Sequence, residues 1–252
     1  MSSWIERRSP NFDVRREGCP IDILVLHYTG MRTAEEALER LCDPAAMVSA
    51  HYTIDRDGRV FRHVEESLRA RHAGVSCWAG ERDVNSRSIG IELVNPGHEF
   101  GYVPFSEPQI GTLIDLTHGI LARHPIPAHR IVGHSDVAPA RKTDPGELFP
   151  WKHLAEHGIG LFPPSLAGYV PSAARQRGEA VRALRATSPA SGGGKDFAQK
   201  LAQFGYGLPP EVDIPLATVV TAFQSHFRPE KIDGVVDADT EAMLAALLEM
   251  ME

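Results

Sequence analysis

The segment Ile21-Asp22-Ile23-Leu24-Val25-Leu26 runs directly into His27. It is short and consists almost entirely of isoleucine, leucine and valine, which is typical of a strand that is buried on both faces of a sheet. A second apolar segment, Arg130-Ile131-Val132-Gly133, runs into His134 in the same way. Because strand ends are rigid positions, we predict that both imidazoles are firmly held and suited to bind a metal ion.

Asp144 completes this pattern. It follows His134 by 10 residues, in a loop bounded by Pro139 and Pro145. Two imidazoles and one carboxylate leave a fourth tetrahedral position open, as a hydrolytic zinc site requires. The chain contains 12 histidines, so two structural core histidines are the alternative, and the Asp-Pro-Gly sequence at Asp144 is also a common turn. The zinc interpretation therefore requires Asp144 to fold back onto His134.

A second carboxylate lies on a predicted strand. Residues 88–93 (SIGIEL) alternate so that Gly90 and Glu92 share one face and the larger apolar residues share the other. A carboxylate on a buried face is unfavourable unless it is paired or used in chemistry, although a strand with one solvent-exposed face is the alternative. Lys142 could stabilise an oxyanion beside the same metal, or it could be a solvated loop lysine.

Local patterns predict how these segments are connected. Residues 33–36 (TAEE) and 106–109 (SEPQ) both have capping-box spacing, and each precedes apolar residues at helical intervals. Asp57-Gly58 lies between two alternating segments and predicts a β-hairpin. Because the hairpin interrupts strict strand–helix alternation, the predicted fold class is α/β (α+β), with a central mixed β-sheet flanked by helices.

The composition changes near residue 166. We predict a catalytic domain over residues 1–165, a linker over residues 166–195 and a small three-helix domain over residues 196–252. The linker contains the sequence SPASGGG at residues 188–194, which is typical of a flexible connection. The helical patterns of the last domain cover residues 196–204, 214–227 and 239–250.

The composition is that of a soluble globular protein. The 252 residues are 42% hydrophobic and 23% charged, with a formal net charge of -7 that argues against a nucleic-acid partner. The three cysteines, Cys19, Cys42 and Cys77, lack the spacing of a disulfide framework. Free thiols in a reducing compartment are expected, with a single disulfide as the alternative.

Targeting signals are not found in the sequence. Residues 1–10 have no apolar stretch like that of a signal peptide, and no segment approaches the roughly 20 apolar residues that span a bilayer. These features predict a cytoplasmic protein without a transmembrane segment. A periplasmic protein whose leader had been removed would have the same sequence, and the oligomeric state is not indicated.

Taken together, the segments between about Ile21 and Pro163 resemble the zinc-dependent N-acetylmuramoyl-L-alanine amidases of the AmpD and AmiD type. Six segments carry the resemblance in order: residues 26–29 (LHYT), 48–52 (VSAHY), 71–74 (RHAG), 88–92 (SIGIE), 132–136 (VGHSD) and 142–146 (KTDPG). The resemblance implies a mixed sheet flanked by helices, with Zn²⁺ at one end of the sheet. It also implies hydrolysis of the amide between N-acetylmuramic acid, or its 1,6-anhydro form, and L-alanine of the peptidoglycan stem peptide.

The resemblance also implies roles for individual residues. His27, His134 and Asp144 match the positions of the zinc ligands, Glu92 matches the glutamate that activates water, and Lys142 matches the lysine that stabilises the transition state. Five residues in or beside the matching segments are expected to contact substrate: Tyr28, His51, His72, Asn95 and Arg141. The wall of the substrate groove is expected to differ from that of many relatives, which have an aromatic residue at the position of Arg71.

The C-terminal part resembles a small peptidoglycan-binding three-helix domain. The residues that carry the resemblance are 220–224 (VTAFQ), Phe227 and 232–240 (IDGVVDADT). This resemblance implies that peptidoglycan is the partner, either as released fragments or as the polymer. A helical packing module without a ligand is the alternative.

Two other functions remain open at this point. A peptidoglycan-recognition protein that binds muropeptides without cleaving them would share the fold, but it would lack a metal ligand. A zinc peptidase that cleaves stem-peptide bonds is the other alternative, although the sequence contains no HExxH motif.

Overall fold

The structure is a computed structural model that describes residues 4–163, 193–209 and 212–252. Eight strands occur in these residues: β1 (Ile5–Glu6), β2 (Phe12–Val14), β3 (Ile23–Tyr28), β4 (Tyr52–Ile54), β5 (Val60–Arg62), β6 (Leu68–Ala70), β7 (Ser88–Leu93) and β8 (Ile131–Gly133). Six of them form one sheet in the order β1-β5-β4-β7-β3-β8, and β2 pairs with β6. The six-stranded sheet is mixed: the β4–β5 hairpin is antiparallel, and all other strand pairs of this sheet are parallel. The predicted fold class is therefore confirmed.

Helices connect and flank these strands. The described helices are α1 (Ala34–Cys42), α2 (Val84–Arg87), α3 (Gly97–Phe100), α4 (Glu107–Leu121), α5 (His134–Val137), α6 (Trp151–Glu156), α7 (Gly193–Phe204), α8 (Leu216–Phe227) and α9 (Ala238–Glu249). Short 3₁₀ turns lie at Pro44–Ala46 and Ala128–Arg130. None of the helices in the described part of the chain has the length and apolar character needed to span a bilayer.

The first apolar segment forms the interior strand β3. Its residues Ile23, Leu24, Val25 and Leu26 have no solvent exposure, because β7 and β8 pair with β3 on either side. All three strands are parallel, so their carboxyl ends lie at the same edge of the sheet. This edge carries the functional residues described below.

Two apolar layers cover the sheet. On one face, Leu24 and Leu26 pack in a cluster with Leu113 and Ile120 of α4. On the other face, Val25 packs in a cluster that includes residues of α7, α8 and α9. Alternation along β3 places His27 on the same face as Val25. The C-terminal helices therefore pack on the sheet face from which the His27 side chain projects.

The two predicted capping boxes have different outcomes. At α1, the Thr33 hydroxyl accepts a hydrogen bond from the Glu36 backbone N–H at 3.1 Å, as predicted. At α4, the helix begins where expected, but the capping box is wrong, because the Ser106 hydroxyl donates to the Arg56 carbonyl instead. Gln109 is buried, and its amide donates to the carbonyls of Ile54 and Val94 at 2.9 and 3.1 Å. Gln109 therefore ties α4 to the sheet rather than capping the helix.

The C-terminal helices α7, α8 and α9 correspond to the three predicted helical patterns. The predicted linker lies outside the described residues up to residue 192, and residues 193–195 begin α7. The predicted domain boundaries stay a prediction, but the cluster that contains Val25 also contains Phe223 of α8, so the two parts share apolar packing. Cys19 and Cys42 are free thiols.

Candidate metal centre

The parallel register brings His27 and Glu92 together. They are directly paired in neighbouring strands β3 and β7, so both side chains leave the same face at the same edge. On the other side of β3, Leu26 pairs with Gly133 of β8, and His134 follows as the first residue of α5. The prediction that His134 closes a strand therefore differs slightly from the structure, because His134 begins the short helix after it.

Three potential ligand atoms converge at this edge. The Nδ1 atoms of His27 and His134 are 3.0 Å apart, and Oδ2 of Asp144 lies 3.1 Å from the first and 3.0 Å from the second. All three side chains are buried. The loop folds back as the zinc interpretation requires, since the Ser135 backbone N–H donates to the Asp144 carbonyl at 2.8 Å. Within the described residues, these three form the one group of histidine, cysteine and acidic side chains close enough to share an ion.

The hydrogen bond on the far side of the His134 ring determines which nitrogen carries its proton. Nε2 of His134 lies 3.1 Å from the carbonyl oxygen of Ala73. A carbonyl only accepts hydrogen bonds, so Nε2 must carry the proton. In the neutral ring, Nδ1 then presents a lone pair toward His27 and Asp144.

A longer chain of hydrogen bonds determines the same tautomer for His27. The Ser88 hydroxyl donates to the Val84 carbonyl at 2.6 Å, so its oxygen accepts from Nε2 of His72 at 3.0 Å. Nδ1 of His72 is then an acceptor for Nε2–H of His27, at 3.1 Å. This assignment requires neutral rings. Burial lowers the pKa of His72 well below its usual value, and burial together with the neighbouring His134 lowers the pKa of His27 to about 4.

This arrangement fits a metal ion. Two imidazole lone pairs that face each other at 3.0 Å cannot form a hydrogen bond with one another. Tetrahedral ligands at the usual zinc distances are separated by about 3.3 Å, close to the three spacings observed here. A cation bound between His27, His134 and Asp144 would satisfy both lone pairs and the carboxylate. Outer hydrogen bonds from the ligand imidazoles are typical of metal sites.

Glu92 lines the same cleft. Its Oε2 atom is buried and has no hydrogen-bond partner among the described residues. Burial raises the pKa of Glu92 well above its usual value, and the nearby Asp144 carboxylate raises it further, whereas Lys142 opposes the shift. A buried carboxyl without a partner is unfavourable unless a ligand or a reaction uses it. This environment is typical of a general acid or base.

Lys142 supplies positive charge to the cleft. It lines the cavity beside Glu92 and Asp144, and its backbone N–H donates to the Ala138 carbonyl at 3.1 Å, which fixes the turn that carries it. Its charge lowers the pKa of Glu92 and also that of His27. Lys142 can therefore stabilise negative charge that develops near Glu92.

The cavity over these residues has a volume of about 360 Å³. Of the five residues predicted to contact substrate, Tyr28, His72 and Arg141 line this cavity. The Tyr28 hydroxyl lies 2.9 Å from Nδ1 of His98 and 3.1 Å from the Thr143 hydroxyl, at the rim. Arg141 donates to the Ala73 carbonyl at 3.0 Å, the same oxygen that accepts from His134. The role of these residues toward substrate stays a prediction.

The structure does not bring His51 to the cleft. Its ring is fully buried, Nδ1 accepts from the Gly90 backbone N–H at 3.0 Å, and Nε2 lies 3.2 Å from the Leu68 carbonyl. Burial and the positive charge of Arg15 lower the pKa of His51 to about 3. This geometry is that of a structural core histidine rather than of a residue that contacts substrate.

Asn95 is likewise a structural residue in this geometry. It is fully buried, its amide nitrogen donates to the Val103 carbonyl at 2.7 Å, and its amide oxygen accepts from the Gly97 N–H at 3.1 Å. Asn95 therefore ties together the loop that follows β7. It does not line the cavity over the candidate ligands.

Sequence reasoning did not identify Ser88 as part of the site. Strand alternation places Ser88 on the same face as Gly90 and Glu92, and this pattern could have indicated it. Gly90 is needed in the same arrangement, because the ring of His72 lies directly over it. A Cβ atom at Gly90 would come within 2.4 Å of that ring.

Known proteins with similar sequences identify the family of this chain. Residues 17–147 match the family model described as N-acetylmuramoyl-L-alanine amidase. The chain is 36% identical to the N-acetylmuramoyl-L-alanine amidase AmiD of Escherichia coli, with 97% of this chain and 90% of AmiD aligned. It is also 36% identical to the 1,6-anhydro-N-acetylmuramyl-L-alanine amidase AmpD of Haemophilus influenzae, over 58% of this chain and 86% of AmpD.

Solved structures extend the likeness to both parts of the chain. The structure of E. coli AmiD in complex with its substrate matches with a TM-score of 0.76 and 35% identity, over 94% of this chain and 92% of AmiD. AmpDh3 from Pseudomonas aeruginosa matches with a TM-score of 0.78 and 36% identity, over 91% and 92% of the two chains. The family expected from the six sequence segments is confirmed: the chain belongs to the N-acetylmuramoyl-L-alanine amidases of the AmpD and AmiD type.

Proposed function

We propose that this chain hydrolyses the amide bond between the lactyl group of N-acetylmuramic acid and the L-alanine of peptidoglycan stem peptides, with Zn²⁺ as its cofactor. One observation carries the proposal. The Nδ1 lone pairs of His27 and His134 and the carboxylate of Asp144 converge within 3.1 Å of one another, and His134 and Asp144 line the same cavity as Glu92 and Lys142.

The donor set supports zinc as the metal. Two neutral imidazoles with one carboxylate are typical of catalytic zinc, which keeps a fourth position open. When bound, zinc would polarise the scissile carbonyl and lower the pKa of water toward about 7. His72 and the Ala73 carbonyl would orient the two ligand imidazoles through their Nε2–H groups.

Glu92 is the proposed general base and acid. Glu92 lines the cavity, and one of its carboxyl oxygens has no partner among the described residues. The carboxyl group can accept a proton from the attacking water and then deliver it to the leaving amine nitrogen. The surroundings that raise its pKa favour this exchange, because an efficient acid–base group has a pKa near the working pH. The positive charge of a bound cation would oppose the rise and keep the carboxylate ionised at the start.

Lys142 is the proposed stabiliser of the negative charge that develops on the carbonyl oxygen. A fixed ammonium in a partly enclosed cavity stabilises such charge better than bulk water does. Lys142 precedes Asp144 by two residues in the same loop, and both line the cavity. Glu92 would thus transfer the protons and Lys142 would stabilise the developing charge from neighbouring positions in the cavity.

The substrate we propose is a muropeptide. The solved AmiD relative is in complex with the substrate anhydro-N-acetylmuramic acid-L-Ala-D-γ-Glu-L-Lys, and the AmpDh3 relative is in complex with an anhydromuramic pentapeptide. These likenesses support 1,6-anhydro fragments as a substrate class for this chain, and polymeric peptidoglycan stays the alternative.

A second groove supports a substrate with carboxylates. This groove, of about 810 Å³, adjoins the cleft through the shared residues Arg71 and Arg141, and Arg69 and Arg82 also line it. Arg71 is paired with Asp13 at 2.7 Å, and Arg69 is paired with Asp13 and with Asp83, which also lines the groove. The groove wall is therefore polar at the position where many relatives were expected to have an aromatic residue. Guanidinium groups bind carboxylates well, and stem peptides carry several carboxylates.

Two expectations from the sequence stay predictions. One is the compartment, predicted as the cytoplasm with the periplasm as the alternative, which cell fractionation with an antibody to this chain would determine. The other is peptidoglycan binding by the C-terminal helices.

The proposal is tested by product analysis. The purified protein is stripped of metal, reloaded with Zn²⁺ and incubated with an anhydromuramyl tripeptide, and the products are identified by mass spectrometry. We expect free anhydro-N-acetylmuramic acid and an intact tripeptide that begins with L-alanine. Asp144→Ala is expected to lose zinc and activity together.

Two outcomes would overturn the proposal. Shortened peptides with the sugar still attached would indicate a peptidase. Binding of the muropeptide without cleavage by the zinc-loaded protein would indicate a recognition protein.

A further inference from the structure

A buried carboxylate lies two residues after the candidate ligand His134. Asp136 is 1% exposed, and its two oxygens accept three hydrogen bonds. Oδ2 accepts from the Gly133 backbone N–H at 2.7 Å and from Nδ1 of His226 at 2.7 Å. Oδ1 accepts from the Tyr206 hydroxyl at 2.6 Å.

The bond to Gly133 fixes the turn that carries His134. Gly133 ends β8 and precedes α5, so the Asp136 carboxylate closes the first turn of this short helix onto the end of the strand. The same turn packs tightly against the other ligand loop, since a Cβ atom at Gly133 would come within 2.7 Å of Pro145, the neighbour of Asp144. A shift of the Asp136 carboxylate would therefore change the direction in which His134 leaves the backbone.

The other two donors come from the C-terminal part of the chain. Tyr206 follows α7, and His226 lies in α8. The His226 ring stacks on Trp151 with ring centroids 3.7 Å apart and on Phe227 at 3.8 Å. Tyr206 packs edge-on against Trp78 at 4.9 Å. Both donors are buried and held in one orientation by these aromatic contacts.

Loss of either donor would disturb the turn. Without Tyr206, Oδ1 of Asp136 would be buried without its hydrogen-bond donor, and without His226, Oδ2 would keep only the Gly133 N–H. Both changes are unfavourable for a buried carboxylate. The Asp136 carboxylate would rotate toward a new donor or admit water. Either change would disturb its hydrogen bond from the Gly133 N–H, which depends on the present orientation of the carboxylate. The Tyr206 hydroxyl is a reliable donor, because burial and the Asp136 carboxylate raise the pKa of Tyr206 well above its usual value.

We propose that the C-terminal helices are part of the metal site's supporting structure: Tyr206 and His226 are positioning residues that hold Asp136, and Asp136 holds the turn from which His134 reaches the metal. The proposal rests on the metal-dependent function proposed above. In this account, the C-terminal helices contribute to metal affinity without touching metal or substrate, whatever their role in binding peptidoglycan.

The test uses the full chain and Tyr206→Phe, which removes one hydroxyl and keeps the aromatic packing. Zinc affinity is measured by competition with a chromophoric chelator, and the visible absorption of the Co²⁺-substituted protein reports the ligand geometry. We expect Tyr206→Phe to bind Zn²⁺ about tenfold more weakly or worse, the range typical of outer ligand contacts, and to have a changed Co²⁺ spectrum.

Tyr52→Phe is the matched control. The Tyr52 hydroxyl also donates to a carboxylate, Oε1 of Glu66 at 2.8 Å, but its ring packs in the cluster on the other face of the sheet. Loss of the Tyr52 hydroxyl should lower the melting temperature of the metal-free protein, while zinc affinity and the Co²⁺ spectrum stay those of the wild type. This comparison separates a positioning role from general destabilisation.

His226 provides an independent variant. His226→Asn can keep a donor near the position of Nδ1, whereas His226→Ala keeps none, so we expect His226→Asn to retain more of the zinc affinity. If His226→Ala does not fold, Tyr206→Phe alone decides. Folded Tyr206→Phe with wild-type zinc affinity and spectrum would overturn this inference and leave the proposed function intact. A wild-type protein that binds no zinc would overturn both.

Discussion

Nδ1 of His72 lies 3.1 Å from Nε2 of His27, on the side of the His27 ring opposite to Asp144. Because the Ser88 hydroxyl is committed to the Val84 carbonyl, the hydrogen bonds along this chain run in one direction. These hydrogen bonds place the His27 proton on Nε2, so the lone pair of Nδ1 points toward the candidate metal position. His72 was expected from the sequence to be a substrate contact, and its geometry gives it this second role.

The first prediction concerns His72. His72→Ala removes the acceptor for His27, so the imidazole can rotate or change tautomer, and we expect zinc affinity to fall about 10- to 100-fold. His72→Asn can present an amide oxygen near the position of Nδ1, and it should recover part of the affinity. Chelator competition measures both. Equal zinc affinity in His72→Ala and the wild type would show that this hydrogen bond does not orient His27.

The second prediction concerns Gly90, which lies beneath the His72 ring. In Gly90→Ala, the new methyl group would come within 2.4 Å of that ring and displace it. We expect a lower melting temperature and weaker zinc binding. The control is Gly111→Ala in α4, where a Cβ atom meets nothing within 4 Å, and where alanine should stabilise the helix by about 0.5–1 kcal/mol. Unchanged zinc affinity and melting temperature in Gly90→Ala would contradict the observed packing.

The third prediction separates catalysis from metal binding. Glu92→Gln keeps the size of the side chain but cannot exchange protons, so turnover should fall about 10²- to 10⁴-fold while zinc affinity stays near the wild-type value. Steady-state rates and chelator competition on the same preparations test this. Glu35→Gln, at an exposed ion pair with Arg7, is the control and should keep wild-type turnover. Normal turnover in Glu92→Gln would remove Glu92 from the mechanism.

The fourth prediction is a pH dependence of stability that arises away from the metal site. His63 is buried, its ring bonds the Arg7 carbonyl and the Thr53 hydroxyl at 2.7 and 2.9 Å, and burial lowers its pKa to about 4. Its unfolded-state pKa is about 6.5, so the unfolded chain binds this proton first as the pH falls. Neutral His63 contributes at most about 3 kcal/mol to the free energy of unfolding. This contribution is complete above about pH 6.5 and is lost as the pH falls toward 4.

Urea denaturation of the metal-free protein at pH 7, 6 and 5 measures this loss. The free energy of unfolding should fall with pH in the wild type, and the slope should be shallower in His63→Gln, because that side chain does not titrate. Identical slopes in the two proteins would show that His63 is not responsible.

Local sequence patterns predicted the interior of the fold well. β3, β7 and β8 were predicted because buried, parallel strands leave continuous apolar segments or clear alternation. The β4–β5 hairpin was predicted from its Asp57-Gly58 turn. β1, β2 and β6 were not predicted, because these short, partly exposed strands (IE, FDV and LRA) leave neither a continuous apolar segment nor a turn signal, and their partners lie far away in the chain.

The site could be predicted as a set of residues, but the supporting contacts could not. Strand ends and family motifs led to His27, His134 and Asp144, and the structure brings these three together. The same motifs did not distinguish His72, at the cleft, from His51, in the core, since that depends on which face of a neighbouring strand each ring meets. The bond between Tyr206 and Asp136 joins residues 70 positions apart and leaves no local pattern.

The position of the bound metal ion tests the proposed site most directly. Anomalous diffraction at the zinc absorption edge, from crystals of the zinc-loaded protein, measures this position. We expect one peak about 2.0–2.2 Å from Nδ1 of His27, Nδ1 of His134 and a carboxylate oxygen of Asp144. A peak bound through Nε2 of either histidine, a peak away from these residues, or no peak in a protein that is active after metal removal would contradict the account.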